Sequence, residues 1–279
     1  MELLFENLAE EQFTKERIRK FKDWIENANK AREINSLDER ANQYDKAEEL
    51  ITFYTFAPLE LRENKKDVVQ KMLRLANIHQ PVEGKINLSF ERQLTPPKGY
   101  LMWLTNETRK HPVRYIREQG KEHIKTDKRL ETNTHVDTAI ETDNFLVLIE
   151  MKFTSDISTQ TTFNVNRNQL ARIIDVGISE AKKKRKKLIV LLCSPSEFYH
   201  KKSRFYYYKI QEYSGFGKIK DDIAWRELEE IQKYLLAVAW IPLEKVVEVM
   251  YRNSSFSQFD EARTFFTEKK LASFLMREG

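Results

Sequence analysis

The sequence predicts an α/β protein with a mixed central sheet of four to six strands and flanking helices. Segments with the short apolar or alternating character of strands lie at residues 86–94, 134–142, 145–149 and 188–193. A longer segment at 166–187, predicted to be a helix, separates the last two of them. Patterns typical of helices at both ends of the chain complete this fold class.

The composition is that of a folded protein without disulfides. The 279 residues are 41% hydrophobic and 11% aromatic, which is too rich for a disordered chain. This length is enough for one large domain or two small ones. The single cysteine, Cys193, excludes an internal disulfide and a zinc site built from several cysteines.

The apolar segments are too short for a membrane protein. None approaches the roughly 20 residues that span a bilayer. Residues 1–13 (MELLFENLAEEQF) carry acidic groups where a secretory signal carries basic ones. We therefore expect a cytoplasmic protein that does not bind membranes.

Positive charge is concentrated in the middle of the chain. Residues 101–220 hold 23 Lys and Arg against 14 Asp and Glu, a net charge of +9, whereas the whole chain has +5. Such an excess suits a polyanionic partner, nucleic acid first. The alternative is a lysine-rich surface that is only solvated.

Residues 1–85 are predicted to form a helical N-terminal region. In the segment 13–31 apolar side chains recur at spacings near three and four, as on one face of a helix. Ser36 and Glu39 form a capping-box pattern that opens a second helix toward Tyr54. A third helix is predicted at 64–75.

Residues 221–279 are predicted to form a helical C-terminal region, with helices at 221–239 and 242–251 and two shorter ones beyond. Residues 86–220 between the two regions form the α/β core. The sequence leaves open whether the two helical regions are separate subdomains or pack on this core.

The core contains a predicted β-hairpin. Residues 134–142 alternate polar and apolar side chains, and Asp143 and Asn144 make a tight turn into the apolar strand 145–149. Before the hairpin, residues 100–119 are predicted to be helical with a break at His111 and Pro112.

Three charged side chains cluster at the end of this hairpin. Glu150 and Lys152 follow the apolar strand and project to one face of it, and the hairpin can bring Asp137 close to them. Charged groups beside an apolar strand are costly unless they have a function. Two carboxylates can bind Mg²⁺, which neutralises charge on a phosphate, and a nearby lysine can orient or deprotonate a water molecule.

Asp137, twelve intervening residues and then Glu150, Met151 and Lys152 resemble the PD-(D/E)xK nuclease superfamily, whose fold is called restriction-endonuclease-like. The signature of this family is Asp-x(n)-(Asp/Glu)-x-Lys on such a hairpin. Members often carry Gln on the helix that follows, as Gln169 does here. The resemblance covers about residues 100–195.

The resemblance implies a DNA nuclease that depends on Mg²⁺ or Mn²⁺. Asp137, Glu150 and the backbone carbonyl of Met151 would bind the metal, Lys152 would position or activate the water, and Gln169 would orient Lys152 or a phosphate. Many members supply a further acid from the first core helix, for which the candidates are Glu107 and Glu118. Restriction, anti-phage defence or DNA repair are the implied settings.

Basic side chains further along the core are candidates for DNA binding. Arg172 lies three positions after Gln169, on about the same helix face. A basic run of six residues ends this helix and includes four candidate phosphate contacts: Lys182, Lys183, Lys184 and Arg185. The tyrosines at 206–208 form a further strand or an exposed patch, and either stack on unpaired bases or pack against the C-terminal helices.

Two other functional classes remain open from the sequence. One is a non-catalytic nucleic-acid-binding module on the same fold, and the other is a helical interaction protein in which the α/β core is a scaffold. The sequence also leaves open a homodimer and partner subunits, because enzymes that cut both strands often act as dimers.

Overall fold

The computed structural model describes residues 3–30, 48–110, 130–153, 155–161, 163–199 and 204–252. Within these ranges the chain forms one five-stranded mixed sheet with helices on both faces, which confirms the α/β class. The strands are β1 (Asn87–Leu94), β2 (Thr134–Glu141), β3 (Phe145–Met151), β4 (Lys187–Ser194) and β5 (Leu235–Pro242).

The strands lie side by side in chain order. β1, β2 and β3 pair antiparallel, whereas β4 and β5 each add in parallel. The predicted hairpin is confirmed as β2 and β3, and the predicted strands before and after it are confirmed as β1 and β4.

The fifth strand corrects the sequence prediction. The helix expected at 221–239 is instead a short helix, Leu228–Tyr234, followed directly by β5. The segment LLAVAWIP is rich in leucine and alanine, which favour helices. Pairing with β4 supplies its backbone hydrogen bonds and buries three of its apolar side chains, and this tertiary gain outweighs the local preference.

The described helices are α1 (Glu6–Gln12), α2 (Lys15–Lys30), α3 (Glu48–Phe56), α4 (Lys65–Leu75), α5 (Lys98–Lys110), α6 (Gln169–Lys184), α7 (Ser196–Tyr199), α8 (Phe205–Tyr213), α9 (Gly217–Asp222), α10 (Leu228–Tyr234) and α11 (Leu243–Tyr251), with a 3-10 turn at Ala57–Leu61. The helices before β1, together with α5, α6 and α11, match predicted ones, whereas α7, α8 and α9, which begin between residues 196 and 220, were not predicted. The three tyrosines at 206–208 lie on α8 rather than on a strand. No helix in the described ranges is long and apolar enough to cross a membrane.

Helix α6 is shorter at both ends than the predicted segment 166–187. Asn168 precedes it, and its side chain accepts a hydrogen bond from the Ala171 amide, which caps the helix. At the other end Arg185 adopts a left-handed conformation that stops the helix, and Lys187 already belongs to β4. The predicted capping box at Ser36 and the predicted helices beyond residue 252 lie outside the described residues.

The sheet separates two hydrophobic cores. Because side chains alternate along a strand, Val147 and Ile149 of β3 point to one face, and Leu146 and Leu148 point to the other. The first face packs against α3, α4 and α11, and the second against α6. The N-terminal helices thus share a core with the sheet.

The turn of the β2–β3 hairpin is fixed by a loop that precedes β1. The Asp143 amide donates to the Glu83 carbonyl (3.0 Å), and the Asn144 side chain donates to the Pro81 carbonyl (2.8 Å). Gly84 has φ +71°, and a Cβ there would lie 1.8 Å from the Asp143 carboxyl carbon. Only glycine fits this position, which holds the hairpin in register.

Candidate active site

The hairpin register brings Asp137 to the end of β3. Thr138 pairs with Ile149, so Asp137 lies opposite Glu150 one step further along. The Asp137 Oδ2 atom accepts a hydrogen bond from the Met151 amide at 2.7 Å. The side chain of Met151 points to the opposite face and packs in the core beneath α3.

Lys152 lies between two carboxylates. Its Nζ atom is 2.9 Å from Glu150 Oε1 and 2.9 Å from Glu48 Oε1. Only 9% of the Lys152 side chain and 2% of the Glu150 side chain are exposed. We call Asp137, Glu150, Glu48 and Lys152 the carboxylate–lysine cluster.

Glu48 is the member that sequence reasoning missed. It lies in the first turn of α3, and its Oε2 atom accepts hydrogen bonds from the Phe153 amide (2.9 Å) and the Ser155 hydroxyl (3.0 Å). Acidic residues in a first turn are common, so the local pattern carries little signal. Of the two candidates for a further acid, Glu107 pairs with Lys110 on α5 (3.2 Å), and Glu118 lies outside the described residues.

Burial and mutual repulsion shift the pKa values of the cluster. Burial, and then the charge of Glu150, raise the pKa of Asp137 well above its ordinary value, and Lys152 offsets part of this. Burial also raises the pKa of Glu150. For Lys152, burial alone would lower the pKa, but Glu150, Glu48 and Asp137 raise it and favour the charged ammonium.

The oxygen atoms of the cluster fit a hard divalent cation. The cluster holds three carboxyl groups and one ammonium group, and a bound cation would favour the ionised forms of the carboxyl groups. Glu150 Oε2 is buried and has no hydrogen-bond partner among the described residues. Carboxylate oxygens are the ligands that Mg²⁺ and Mn²⁺ prefer. In the described ranges, however, no three His, Cys, Asp or Glu side chains are already arranged as a metal-binding group.

Helix α6 positions Gln169 and Arg172 next to the cluster. Gln169 donates its amide to Glu150 Oε1, and its carbonyl oxygen accepts from the Ser158 amide (3.2 Å). Gln169 therefore contacts Glu150, whereas the resemblance had implied a contact with Lys152 or a phosphate. Arg172 is near enough to counteract slightly the rise in the Glu150 pKa that burial causes. Its Nε atom is buried without a hydrogen-bond partner in the described part of the chain.

A buried ionic network anchors this end of α6, and sequence reasoning missed it. Arg167 makes a two-pronged ion pair with Glu131 (2.7 and 2.9 Å) and a third contact with Asp175 (2.9 Å). Arg226 also binds Asp175, and all four side chains are buried. The network fixes the start of the helix and with it Gln169.

The basic run lies far from the carboxylate–lysine cluster. Lys187 pairs with Phe145 at the beginning of β3, so the run is about 20 Å from Glu150 at the other end of that strand. Four of its side chains make ion pairs with acidic neighbours: Lys182 with Glu230, Lys183 with Glu180, and both Lys184 and Lys186 with Glu141. Arg185 ends α6. The structure thus separates the four predicted phosphate contacts from the cluster.

Comparisons of the chain with protein-family models, with curated proteins and with solved structures found no match. A functional interpretation therefore depends on the residues of the cluster and their geometry.

Proposed function

We propose that this protein is a metal-dependent DNA nuclease with a restriction-endonuclease-like fold, which hydrolyses phosphodiester bonds at the carboxylate–lysine cluster. One observation carries this proposal: where the hairpin ends, Glu150 and Glu48 both make ion pairs with Lys152, and Asp137 lies beside them, bound to the Met151 amide. The Gln-bearing helix and the parallel strand after it follow in the order that the resemblance implies.

In this proposal the residues of the cluster have different roles. Asp137, Glu150 and Glu48, with the carbonyl of Met151, would hold Mg²⁺ or Mn²⁺. The bound cation would supply positive charge that stabilises the negative charge growing on the phosphate. Lys152, kept charged by its neighbours, would orient the attacking water and stabilise the same negative charge.

Two side chains on α6 support this chemistry. Gln169 holds the Glu150 carboxylate in place through its side-chain amide. Arg172 has no ion-pair partner in the described residues and would contact a substrate phosphate. In the reaction a water oxygen bonds to phosphorus, one P–O ester bond breaks, and the leaving oxygen takes a proton, which yields a phosphate end and a hydroxyl end.

The proposal is tested with plasmid, linear and single-stranded DNA in Mg²⁺, Mn²⁺ and EDTA. We expect cleavage that needs the metal and falls by about 100-fold or more in Lys152→Ala and Asp137→Ala. Lys183→Ala, which removes an exposed lysine of the basic run, is the matched control and should cut normally. Cleavage that survives both cluster substitutions, or no cleavage of any DNA, would overturn the proposal.

A second candidate is a non-catalytic nucleic-acid-binding module on the same fold. It is favoured by the position of Lys152, because its ammonium group already makes ion pairs with two of the carboxylates and so supplies positive charge without a metal. DNA binding without cleavage in every metal would select this candidate. A role in restriction, anti-phage defence or repair, and a homodimer on double-stranded DNA, would follow only from the nuclease activity.

A further inference from the structure

A series of aromatic side chains begins beside the carboxylate–lysine cluster. Glu150 pairs with Leu192 on β4, and Leu192 pairs with Trp240 on β5. Paired residues of neighbouring strands point to the same face of a sheet. Trp240 therefore lies on the face and at the strand end that carry Glu150, two strands away, or about 10 Å.

The series leads from the sheet to the surface. Trp240 stacks on Tyr199 with ring centroids 4.0 Å apart, and Tyr199 contacts Tyr207 at 5.2 Å. Tyr207 in turn contacts Tyr208 edge-on at 5.5 Å. Tyr208 is 49% exposed, whereas most large aromatic rings of the described chain are buried. We call Trp240, Tyr199, Tyr207 and Tyr208 the aromatic series.

The loop that follows Lys152 fixes the position of α8, which carries the outer two rings. The Asp156 carboxylate accepts hydrogen bonds from the Phe205 amide (2.6 Å) and the Tyr206 amide (3.1 Å) at the start of this helix. Asp156 lies only four residues after Lys152. The helix with the exposed tyrosine is thus held at its start by a residue close in sequence to the cluster.

An arginine lies at the start of the helix that carries the exposed ring. Arg204 precedes α8, and its guanidinium group lies 5.8 Å from the Phe198 ring. Among the described residues it has neither a hydrogen bond nor an ion pair with a carboxylate. Within the described residues, a guanidinium without an ion pair and an exposed aromatic ring thus lie within five residues of each other at the start of α8, which matches the chemistry of a nucleotide with its flat base and its phosphate.

We propose that the outer end of the aromatic series, Tyr207 and Tyr208, stacks an unpaired base of single-stranded DNA whose backbone reaches the carboxylate–lysine cluster. Bases within a duplex are stacked on one another and do not offer a free face, whereas those of a single strand do. The substrate class is then DNA with a single-stranded segment next to the bond that is cut. This inference rests on the proposed nuclease function and names its substrate.

The test measures binding in EDTA, so that it does not depend on cleavage. Fluorescence anisotropy of a short labelled oligo(dT) is compared with that of a duplex of equal length at one fixed salt concentration. Tyr208→Ala should weaken binding of the single strand by about 5- to 100-fold, the value of one stacked base, and should leave duplex binding unchanged. Tyr208→Phe keeps the ring and should bind as the wild type does.

Met102→Ala is the matched control, because Met102 is 69% exposed and lies on α5, outside the aromatic series. Equal affinity of the wild type for both DNAs, no binding of the single strand, or an equal loss of both in Tyr208→Ala would overturn the inference. Loss of single-strand binding in Tyr208→Ala without metal-dependent cleavage would support the inference and refute the nuclease. Cleavage with no effect of Tyr208→Ala would refute the inference alone.

Discussion

Glu48 connects helix α3 of the N-terminal region to the candidate active site through its contacts with Lys152, Phe153 and Ser155, and its replacement by glutamine tests how much these contacts stabilise the fold. The side chain is 18% exposed and accepts three hydrogen bonds, one of them from the Lys152 ammonium. Glutamine has the same shape but no charge. It can still accept from the Phe153 amide, but it loses the ion pair with Lys152.

The size of the effect follows from these contacts. Removal of one partner from a buried ion pair costs about 3–5 kcal/mol when the other charge is left alone. Here Lys152 keeps Glu150, and the repulsion between Glu48 and the other two carboxylates is relieved. We therefore expect Glu48→Gln to lower the free energy of unfolding by about 1.5–3 kcal/mol, the value of one hydrogen bond to a charged group.

Urea unfolding followed by tryptophan fluorescence measures this loss, provided that the slope m is unchanged. Glu49→Gln is the control, because Glu49 is the next residue of α3 and its ion pair with Arg17 is partly exposed, at 40% and 30%. It should cost less than about 1 kcal/mol. Equal losses in the two variants, or none in Glu48→Gln, would refute the view that Glu48 is held by the cluster.

Three further outcomes are expected. The pKa of Asp137 is raised in the folded state, so its ionisation destabilises the fold as pH rises above the ordinary carboxyl value near 3.9. In EDTA, Asp137→Asn should therefore be more stable than the wild type at neutral pH but not at pH 4. Equal thermal melts of the two proteins at both pH values would contradict this. Gly84→Ala should lower the free energy of unfolding in urea by about 2–4 kcal/mol. Gly215→Ala is the control, because a Cβ there meets nothing within 4 Å, and it should change the free energy of unfolding by under about 0.5 kcal/mol. An unchanged stability of Gly84→Ala would refute the view that this glycine fixes the hairpin turn. Lys183→Ala should leave the rate of DNA cleavage unchanged because the basic run is about 20 Å from Glu150, and a large loss of rate would place DNA on that run.

The parts of the fold that were predicted correctly have local signals. Alternation in β2, the apolar run of β3 and the tight turn between them specify a hairpin within 18 residues of sequence. The same spacing places Asp137 opposite Glu150. Gln169 was predicted to be near the site, and it lies there because α6 follows β3 and returns along the sheet.

The parts that were missed depend on contacts between distant segments. Glu48 meets Lys152 across 104 residues, and its neighbourhood in the sequence looks like an ordinary first turn of a helix. From the sequence, Arg167 and Asp175 would be taken for surface charges, whereas in the structure they are buried and make ion pairs with Glu131 and Arg226. Likewise, β5 has the composition of a helix, and its pairing with β4 makes it a strand. Periodicity detects amphipathic elements, but it does not identify the partner that each element meets.

The central claim is that the carboxylate–lysine cluster hydrolyses phosphodiester bonds with the help of a divalent cation. The most direct measurement is the rate of DNA cleavage as a function of Mg²⁺ concentration for the wild type and for Glu150→Gln, with Glu107→Gln as the control from outside the cluster. We predict that the wild type and Glu107→Gln show the same saturable dependence on Mg²⁺ and that Glu150→Gln is slower by at least about 100-fold. Equal rates in Glu150→Gln and the wild type would contradict the claim.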